Sequence, residues 1–395
     1  MNFSKKALQI TPSMTLAISA KANEMKKSGK SVISFSVGEP DFKTPEYIIE
    51  GCKQALDSGV TKYTPVGGML PLKEAIKAKF LRDNGLEYDL DQIVVSTGAK
   101  SSLFHALYAL INDGDEVIIP KPYWLTYPEI VSICGGVSVF VDTDCANDYK
   151  ITASELENAI TSKTKCLILN SPNNPSGAVY TREELEAIAK VAVERDIIVI
   201  SDEVYEKLCF VGNHVSIASL GNEIKSRTVV VNAVSKTYAM TGWRIGYLAC
   251  DKSLAKVITG VQSHTTSNAT SFAQYGAMVA LNGGEDTVKQ MVDVFADRRE
   301  LMLGLLSGID GVTFTQPQGA FYVFLNVSGY YGKSYNGSVI VDSVSFAHAL
   351  LDEGVAVIPG KPFGNDGCIR LSYATSIADI AEGLSRIKAF LRKLY

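Results

Sequence analysis

The sequence predicts an α/β protein: a mostly parallel, seven-stranded sheet in a large domain, followed by a smaller α+β domain. Three observations predict it. Apolar runs rich in Val and Ile recur as "IVVST" at 93–97, "EVIIP" at 116–120, "VSVFV" at 137–141, "CLILN" at 166–170, "IIVIS" at 197–201 and "TVVVN" at 228–232. Helical patterns lie between them, at 101–112 and 182–194 among others, and after about residue 285 this rhythm stops. Helices cover both faces of a parallel sheet, so its strands read as continuous apolar runs and not as alternating ones.

In chain order, the first clear element is the helix 45–58, "PEYIIEGCKQALDS", with Ile48, Ile49, Cys52, Ala55 and Leu56 on one face. Thr44 is placed to cap it, Pro45 suits its first position and Gly59 its end. The strand–helix units follow up to "TVVVN". The seventh strand, "IGYLA" at 245–249, comes after a connection too short for a parallel crossover, so it is expected to run antiparallel. Beyond it a charged helix containing "FADRRELMLGLL" precedes "GAFYVFLNV", and short elements then end in "IRLSYATS" and a helix. The large domain is expected at 46–285, and the small one at 1–45 together with 286–395. A length of 395 residues agrees with about two to three domains.

Composition narrows the function. The 38 basic and 42 acidic residues give a formal net charge of −4 without blocks of one sign, which is no footprint for nucleic acid or an anionic membrane. No run approaches the ~18 apolar residues of a membrane span, and Lys21 interrupts the only apolar stretch near the N-terminus. The seven cysteines show no C-x-x-C spacing and the four histidines no H-E-x-x-H cluster. Neither a disulfide framework nor a metal is expected, and the setting is expected to be cytoplasmic.

The polar chemistry gathers at strand ends. Ligands of open parallel sheets sit beyond the carboxyl ends of the strands, where loops and helix N-termini converge. "IVVST" runs into Gly98-Ala99-Lys100 and a helix, a turn that suits a phosphate, although an ordinary tight βα turn has the same composition. "CLILN" runs into "SPNNPSG", where Asn174 could aim an amide at a ligand or merely shape a turn. "IIVIS" is followed by Asp202, Glu203 and Tyr205; an acid there needs a buried cation, or it caps a helix. "TVVVN" leads to Ser235 and Lys236, with Arg244 beyond, and a lysine past a strand is by itself an ordinary solvated end. Together these groups fit a phosphorylated, carbonyl-bearing cationic ring, pyridoxal phosphate, because lysine forms Schiff bases and the pyridine nitrogen needs an acidic partner. No G-x-G-x-x-G follows the first strand to serve a dinucleotide.

At this point the sequence resembles the fold-type-I, class I aminotransferases, and within them the bacterial aspartate aminotransferases. The resemblance runs through "SVGEPDFKTPEYI", "KYTPVGGMLPLKEAI", "GDEVIIPKPYWLTYPE", "NSPNNPSGAVY", "SDEVYEKL", "SKTYAMTGWRIGY" and "IRLSYATS". It implies transfer of an amino group from an L-amino acid, aspartate first, to 2-oxoglutarate by a ping-pong mechanism. It implies that Lys236 holds pyridoxal 5′-phosphate as an internal aldimine and moves a proton at the substrate. Asp202 would pair with the pyridinium nitrogen, Tyr205 and Asn174 would contact the ring hydroxyl, and Trp124 would stack on the ring. Gly98, Ala99, Lys100, Ser235 and Arg244 would surround the phosphate. Tyr63 would reach the phosphate of a neighbouring subunit, making the active unit a homodimer with sites at the interface. Arg370 would clamp the substrate carboxylate, aided by the backbone of Gly38, with Trp124 and Asn174 also at the substrate.

Two departures stand out. Relatives commonly carry serine three residues before the lysine, where this chain has Ala233. A distal carboxylate is met in some members by a basic residue in stretches that here read "QITPSM" and "SSLFHALYAL", with no basic residue beyond His105. Aspartate is thus implied by the family alone, and an aromatic or broad-specificity aminotransferase, or a lyase of the same fold, is the alternative.

Overall fold

The structure, a computed structural model, describes residues 1–395 except the side chains of Lys5 and Lys6. Seven strands form the main sheet: β1 Ile93–Ser96, β2 Glu116–Pro120, β3 Val137–Val141, β4 Thr164–Asn170, β5 Ile198–Asp202, β6 Thr228–Ala233 and β7 Gly246–Ala249. Their spatial order is β1-β7-β6-β5-β4-β2-β3. The strands from β3 through β6 pair in parallel, while β7 runs antiparallel to both β6 and β1. The expected α/β class and the single reversed strand are both present.

Both faces of the sheet are dry away from its β3 edge. Val229, Val231 and Leu248 pack with Leu103, Leu107 and Ile258 on one side, and Val230, Tyr247 and Val95 with Phe80 and Ile76 on the other. Each is at most about 1% exposed, the burial that parallel strands require. Two local expectations shift. The helix after β1 spans Ala99–Leu110, two residues earlier than its apolar pattern suggests, because Gly98 at φ +81° turns the chain straight into it. The helix Glu46–Asp57 has Pro45 and not Thr44 at its N-cap. The Thr44 hydroxyl donates instead to Ala239 O at 2.7 Å and accepts from Trp243 Nε1 at 3.0 Å, tying this corner to the segment that follows Lys236.

A second, four-stranded antiparallel sheet contains β8 Thr313–Phe314, β9 Tyr322–Asn326, β10 Ile358–Pro359 and β11 Cys368–Ser372, in the order β10-β11-β9-β8. The N-terminal segment is stitched beside it: Phe35 N donates to Ala356 O at 2.8 Å, and Ser372 N donates to Phe35 O at 2.9 Å. Those bonds lay residues 36–38 along β11. The loop after β4 meets the lead into β9, where Gln318 N and Gly319 N both donate to Gly177 O, at 2.8 and 2.9 Å. A side chain on Gly177 (φ +74°) would put its Cβ 2.3 Å from Pro317, so this close approach requires glycine. Among the described residues, no helix is long and apolar enough to cross a membrane.

Candidate active site

The carboxyl ends of β4, β5 and β6 and the turn after β1 open into one cleft, closed from the other side by residues 36–38 and by β9 and β11. Asp202 is the last residue of β5, opposite Asn170 of β4 in register, and is 3% exposed. Its carboxylate accepts from Tyr127 Oη at 2.7 Å and from Val204 N at 3.4 Å. Burial pushes its pKa up to about 6, against the lowering effect of those two donors and of Lys236. Among the described residues no cation forms an ion pair with it.

Lys236 sits in the short helix Val234–Thr237 that follows β6. Its ammonium donates to Gly38 O and lies 5.7 Å from the centre of the Tyr205 ring. Burial pushes its pKa down to about 8; Arg370 and Arg244 push the same way, while Glu39 and Asp202 oppose them. A lysine with that pKa supplies the neutral amine that a nucleophile or a base needs.

Arg370, in the middle of β11, is 2% exposed. Its Nη1 donates to Asn174 Oδ1 at 3.0 Å and its Nη2 to Ser36 O at 3.1 Å, while Nε has no partner. The guanidinium lies 4.4 Å from the centre of the Tyr322 ring. No carboxylate meets it among the described residues. A buried guanidinium held only by neutral acceptors is a costly arrangement that an anionic ligand relieves.

The phosphate end is built from backbone. Gly98 caps the helix Ala99–Leu110, and a Cβ on it would lie 2.5 Å from Arg244 Nη2. Arg244 itself adopts φ +57°, and its Nη1 donates to Thr241 O at 2.8 Å. A Cβ on Gly246 would fall 2.2 Å from Ala99 N, so a second glycine lets β7 press against the same turn. Free N–H groups, a positive helix end and a guanidinium thus converge on one point, as a phosphate requires. Ala233, opposite Gly246 across the β6–β7 pair, and Ser235 are both buried. Trp124 packs edge-on to Tyr127 at 5.5 Å, and Lys100 Nζ lies 4.8 Å over the Trp124 ring.

The structure brings Gly38, Asn174, Asp202, Tyr205, Lys236 and Arg370 together, with Gly98, Ala99 and Arg244 at the turn, Lys100 over Trp124, and Ser235 buried in the short helix that carries Lys236. Tyr63 stands apart, 91% exposed, on a loop pinned on either side by Ser271 Oγ to Val60 O and Gln274 Nε2 to Thr64 Oγ1. His105 is fully buried against Thr265 and takes no part in the cleft. Sequence reasoning missed Tyr127 and Tyr322. Both stand in quoted stretches, "YWLTYPE" and "GAFYVFLNV", but each occupies an apolar pattern that a core tyrosine fills equally well.

Behind the cleft, Glu203, Glu206 and His214 bring potential ligand atoms within 4.8 Å of one another. The cation in this cluster is Lys79, which is 2% exposed and ion-paired to Glu206. Burial raises the Glu206 carboxyl, yet Lys79, His214 and Asn84 outweigh it and hold its pKa below the usual value. Replacing Lys79 with methionine therefore leaves a buried carboxylate without its counter-charge and is expected to cost about 3 kcal/mol of stability, read from denaturant unfolding. Loss below about 1 kcal/mol would mean that Asn84 and His214 suffice.

The cleft meets the requirements of pyridoxal phosphate on its own geometry. An unpaired buried carboxylate, an amine of lowered pKa, a Cβ-free anion cradle and an unpaired buried guanidinium match the ring nitrogen, the carbonyl, the phosphate and a substrate carboxylate in turn. Residues 30–387 match the family "Aminotransferase class I and II". The chain is 50% identical over 385 residues to the aspartate aminotransferase of Bacillus sp. strain YM-2, covering 97% of each chain. Its fold superposes on the Rhizobium meliloti aspartate aminotransferase with a TM-score of 0.96, at 42% identity and 100% coverage of both chains. The Thermus thermophilus aspartate aminotransferase with maleate gives a TM-score of 0.94 at 39% identity, covering 99% of this chain and 100% of that one. With half of its residues shared end to end with such a relative, and with the cleft those residues build, the chain belongs to the class I and II aminotransferases, enzymes that depend on pyridoxal 5′-phosphate.

Proposed function

We propose that the chain transfers the amino group of L-aspartate to 2-oxoglutarate in two half-reactions, with Lys236 as the group that binds the cofactor and moves the proton. The observation that carries this reading is the pair of unmatched buried charges, Asp202 at one end of the cleft and Arg370 at the other. A cationic ring on the first and a carboxylate on the second satisfy both.

When bound, pyridoxal phosphate supplies an electron sink for the pair left at Cα as the proton leaves. Asp202 keeps the ring nitrogen protonated, and the Tyr127 hydroxyl fixes the carboxylate that does so. Arg244, the Ala99 helix end and Ser235 would hold the phosphate, Trp124 would cover the ring, and Asn174 and Tyr205 would meet its hydroxyl. Arg370 holds the substrate carboxylate through two nitrogens, and Gly38 supplies backbone beside it. Lys236, with its amine free, would take the Cα proton on Nζ and deliver it to the cofactor's C4′, on the far side of the shared nitrogen. The exposed Tyr63 on its pinned loop suits contact with a second copy, so we take the working unit to be a homodimer. We place the division between the units at 46–285 against 1–45 with 286–395.

Aspartate needs a second cation, and Lys100 supports it. Its Nζ is held over Trp124 without a carboxylate partner among the described residues, and both partial burial and Arg244 lower its pKa. That residue lies just before the stretch in which the sequence offers only His105. The test is an amino-donor profile with 2-oxoglutarate as acceptor. Aspartate is expected to lead, and Lys100→Ala to raise its KM about tenfold while leaving phenylalanine unchanged. Equal rates for aromatic donors, unaffected by Lys100→Ala, would replace the aspartate reading with a broad-specificity one; ammonia and pyruvate without glutamate would replace it with a lyase.

A further inference from the structure

Tyr322 occupies the centre of the cleft floor. It is fully buried in β9, and its hydroxyl lies 2.9 Å from the Tyr205 hydroxyl. Its ring lies under the Arg370 guanidinium at 4.4 Å. This follows from register: Phe324 stands opposite Arg370 across the β9–β11 pair, and Tyr322 is two residues along on the same face. The segment above leaves it no slack, since a Cβ on Gly38 would be 3.3 Å from Tyr322 Oη and 3.8 Å from Arg370 Nη2.

The two phenols cannot both point their protons at a ligand. A cation stacked on a phenol ring favours that ring's ionised form. Burial pushes both phenols up; Arg370 is the largest influence against it on Tyr322, whose ring it covers at 4.4 Å, and a lesser one on Tyr205. The more acidic phenol is the better donor. With Tyr322, the phenol under the guanidinium, as the donor of the pair, the Tyr205 proton is left free to face the cleft.

We propose that Tyr322 is a positioning residue for the reaction: its ring is the floor on which Arg370 receives a substrate carboxylate, and its hydroxyl directs the Tyr205 proton toward the cofactor's ring oxygen. This rests on the function proposed above, and the two parts separate by substitution. Tyr322→Phe keeps the ring and removes the donor; Tyr322→Leu removes the ring.

The test uses the cofactor-loaded enzyme and two readouts besides turnover: the pH midpoint of its visible absorption, and the affinity for maleate. In Tyr322→Phe the midpoint is expected to rise by about 0.5 to 1 pH unit, the equivalent of the one neutral hydrogen bond lost at Tyr205. Maleate affinity stays within about twofold, and kcat falls about tenfold at unchanged KM. In Tyr322→Leu maleate binding weakens about tenfold, the upper end of a cation–π contact. Because Tyr322 acts through Tyr205, its substitution adds no further shift in a Tyr205→Phe background. An unmoved midpoint in Tyr322→Phe, an additive shift in the double variant, or unchanged maleate affinity in Tyr322→Leu would each overturn the proposal. Wild-type protein that develops no visible band with pyridoxal phosphate would instead overturn the functional reading beneath it. The Tyr322→Phe result stands even if the leucine variant fails to fold.

Discussion

Replacing Lys236 with alanine is expected to lower turnover by about 10⁴-fold, the upper end of what a positioned acid–base group supplies, and to remove the visible absorption of the lysine-bound cofactor. The size follows from two roles held by one amine. Burial brings its pKa to about 8 from an ordinary 10.5, which raises its neutral fraction near neutral pH about 300-fold. The same Nζ reaches the Gly38 carbonyl, two residues from the Ser36 carbonyl that Arg370 binds, so a substrate held by Arg370 would bring its reacting carbon toward the amine. Lys236→Arg separates charge from chemistry: it keeps a cation at that point but offers no neutral amine, and it is expected to be as inactive as alanine. Stability gives the control. A group whose folded pKa is depressed is under strain when charged, so Lys236→Ala should melt no lower than wild type in the cofactor-free state. Wild-type turnover in Lys236→Ala would remove the lysine from the mechanism.

The main sheet was legible because its physics is local. Each strand from β1 to β6 announces itself as an apolar run, buried in all but the edge strand β3, and the reversed β7 follows the short connection from Ala233 to Gly246. The strand-end groups Asp202, Lys236 and Arg244 were legible for the related reason that a charge after an apolar run has few places to go. What escaped lies in contacts that sequence spacing does not carry. Tyr127 meets Asp202 across 75 positions, and Tyr205 meets Tyr322 across 117. A tyrosine in an apolar pattern reads as core until the partner of its hydroxyl is known. Thr44 shows the same limit at a helix start: its hydroxyl is worth more to Ala239 and Trp243 than to the first turn it precedes. Lys100 belongs by sequence to the phosphate turn, and the placement of its Nζ over Trp124 depends on a side-chain direction that no pattern encodes.

Asp202→Asn is expected to do two opposite things, and the opposition distinguishes a functional carboxylate from a structural one. Asparagine can keep Oδ1 as the acceptor for Val204 N, and its Nδ2 can donate to the Tyr127 hydroxyl once that hydroxyl turns, so the local contacts survive. It cannot keep a ring nitrogen protonated, and kcat/KM is expected to fall about 10³-fold, the scale of one preorganised polar group lost from an active site. Cofactor-free stability should move the other way. The folded pKa of Asp202 is raised from 3.8 to about 6, so the folded chain holds this proton more tightly than the unfolded one. Its effect is neutral below about pH 4, stability is lost as pH rises from there through 6, and above 6 the buried anion costs about 3 kcal/mol. Asp202→Asn removes that cost, so at pH 8 the cofactor-free variant should melt roughly 2–5 °C above wild type, with the gap closing toward pH 4. In the loaded enzyme the ring cation already compensates the carboxylate, and the order of the two melting temperatures should reverse. A carboxylate kept for the fold would show the reverse in the cofactor-free protein: loss of stability at pH 8 on substitution. Asp202 is held without a cation in the one place where a ligand can bring it, and the fold carries that cost in order to bind one.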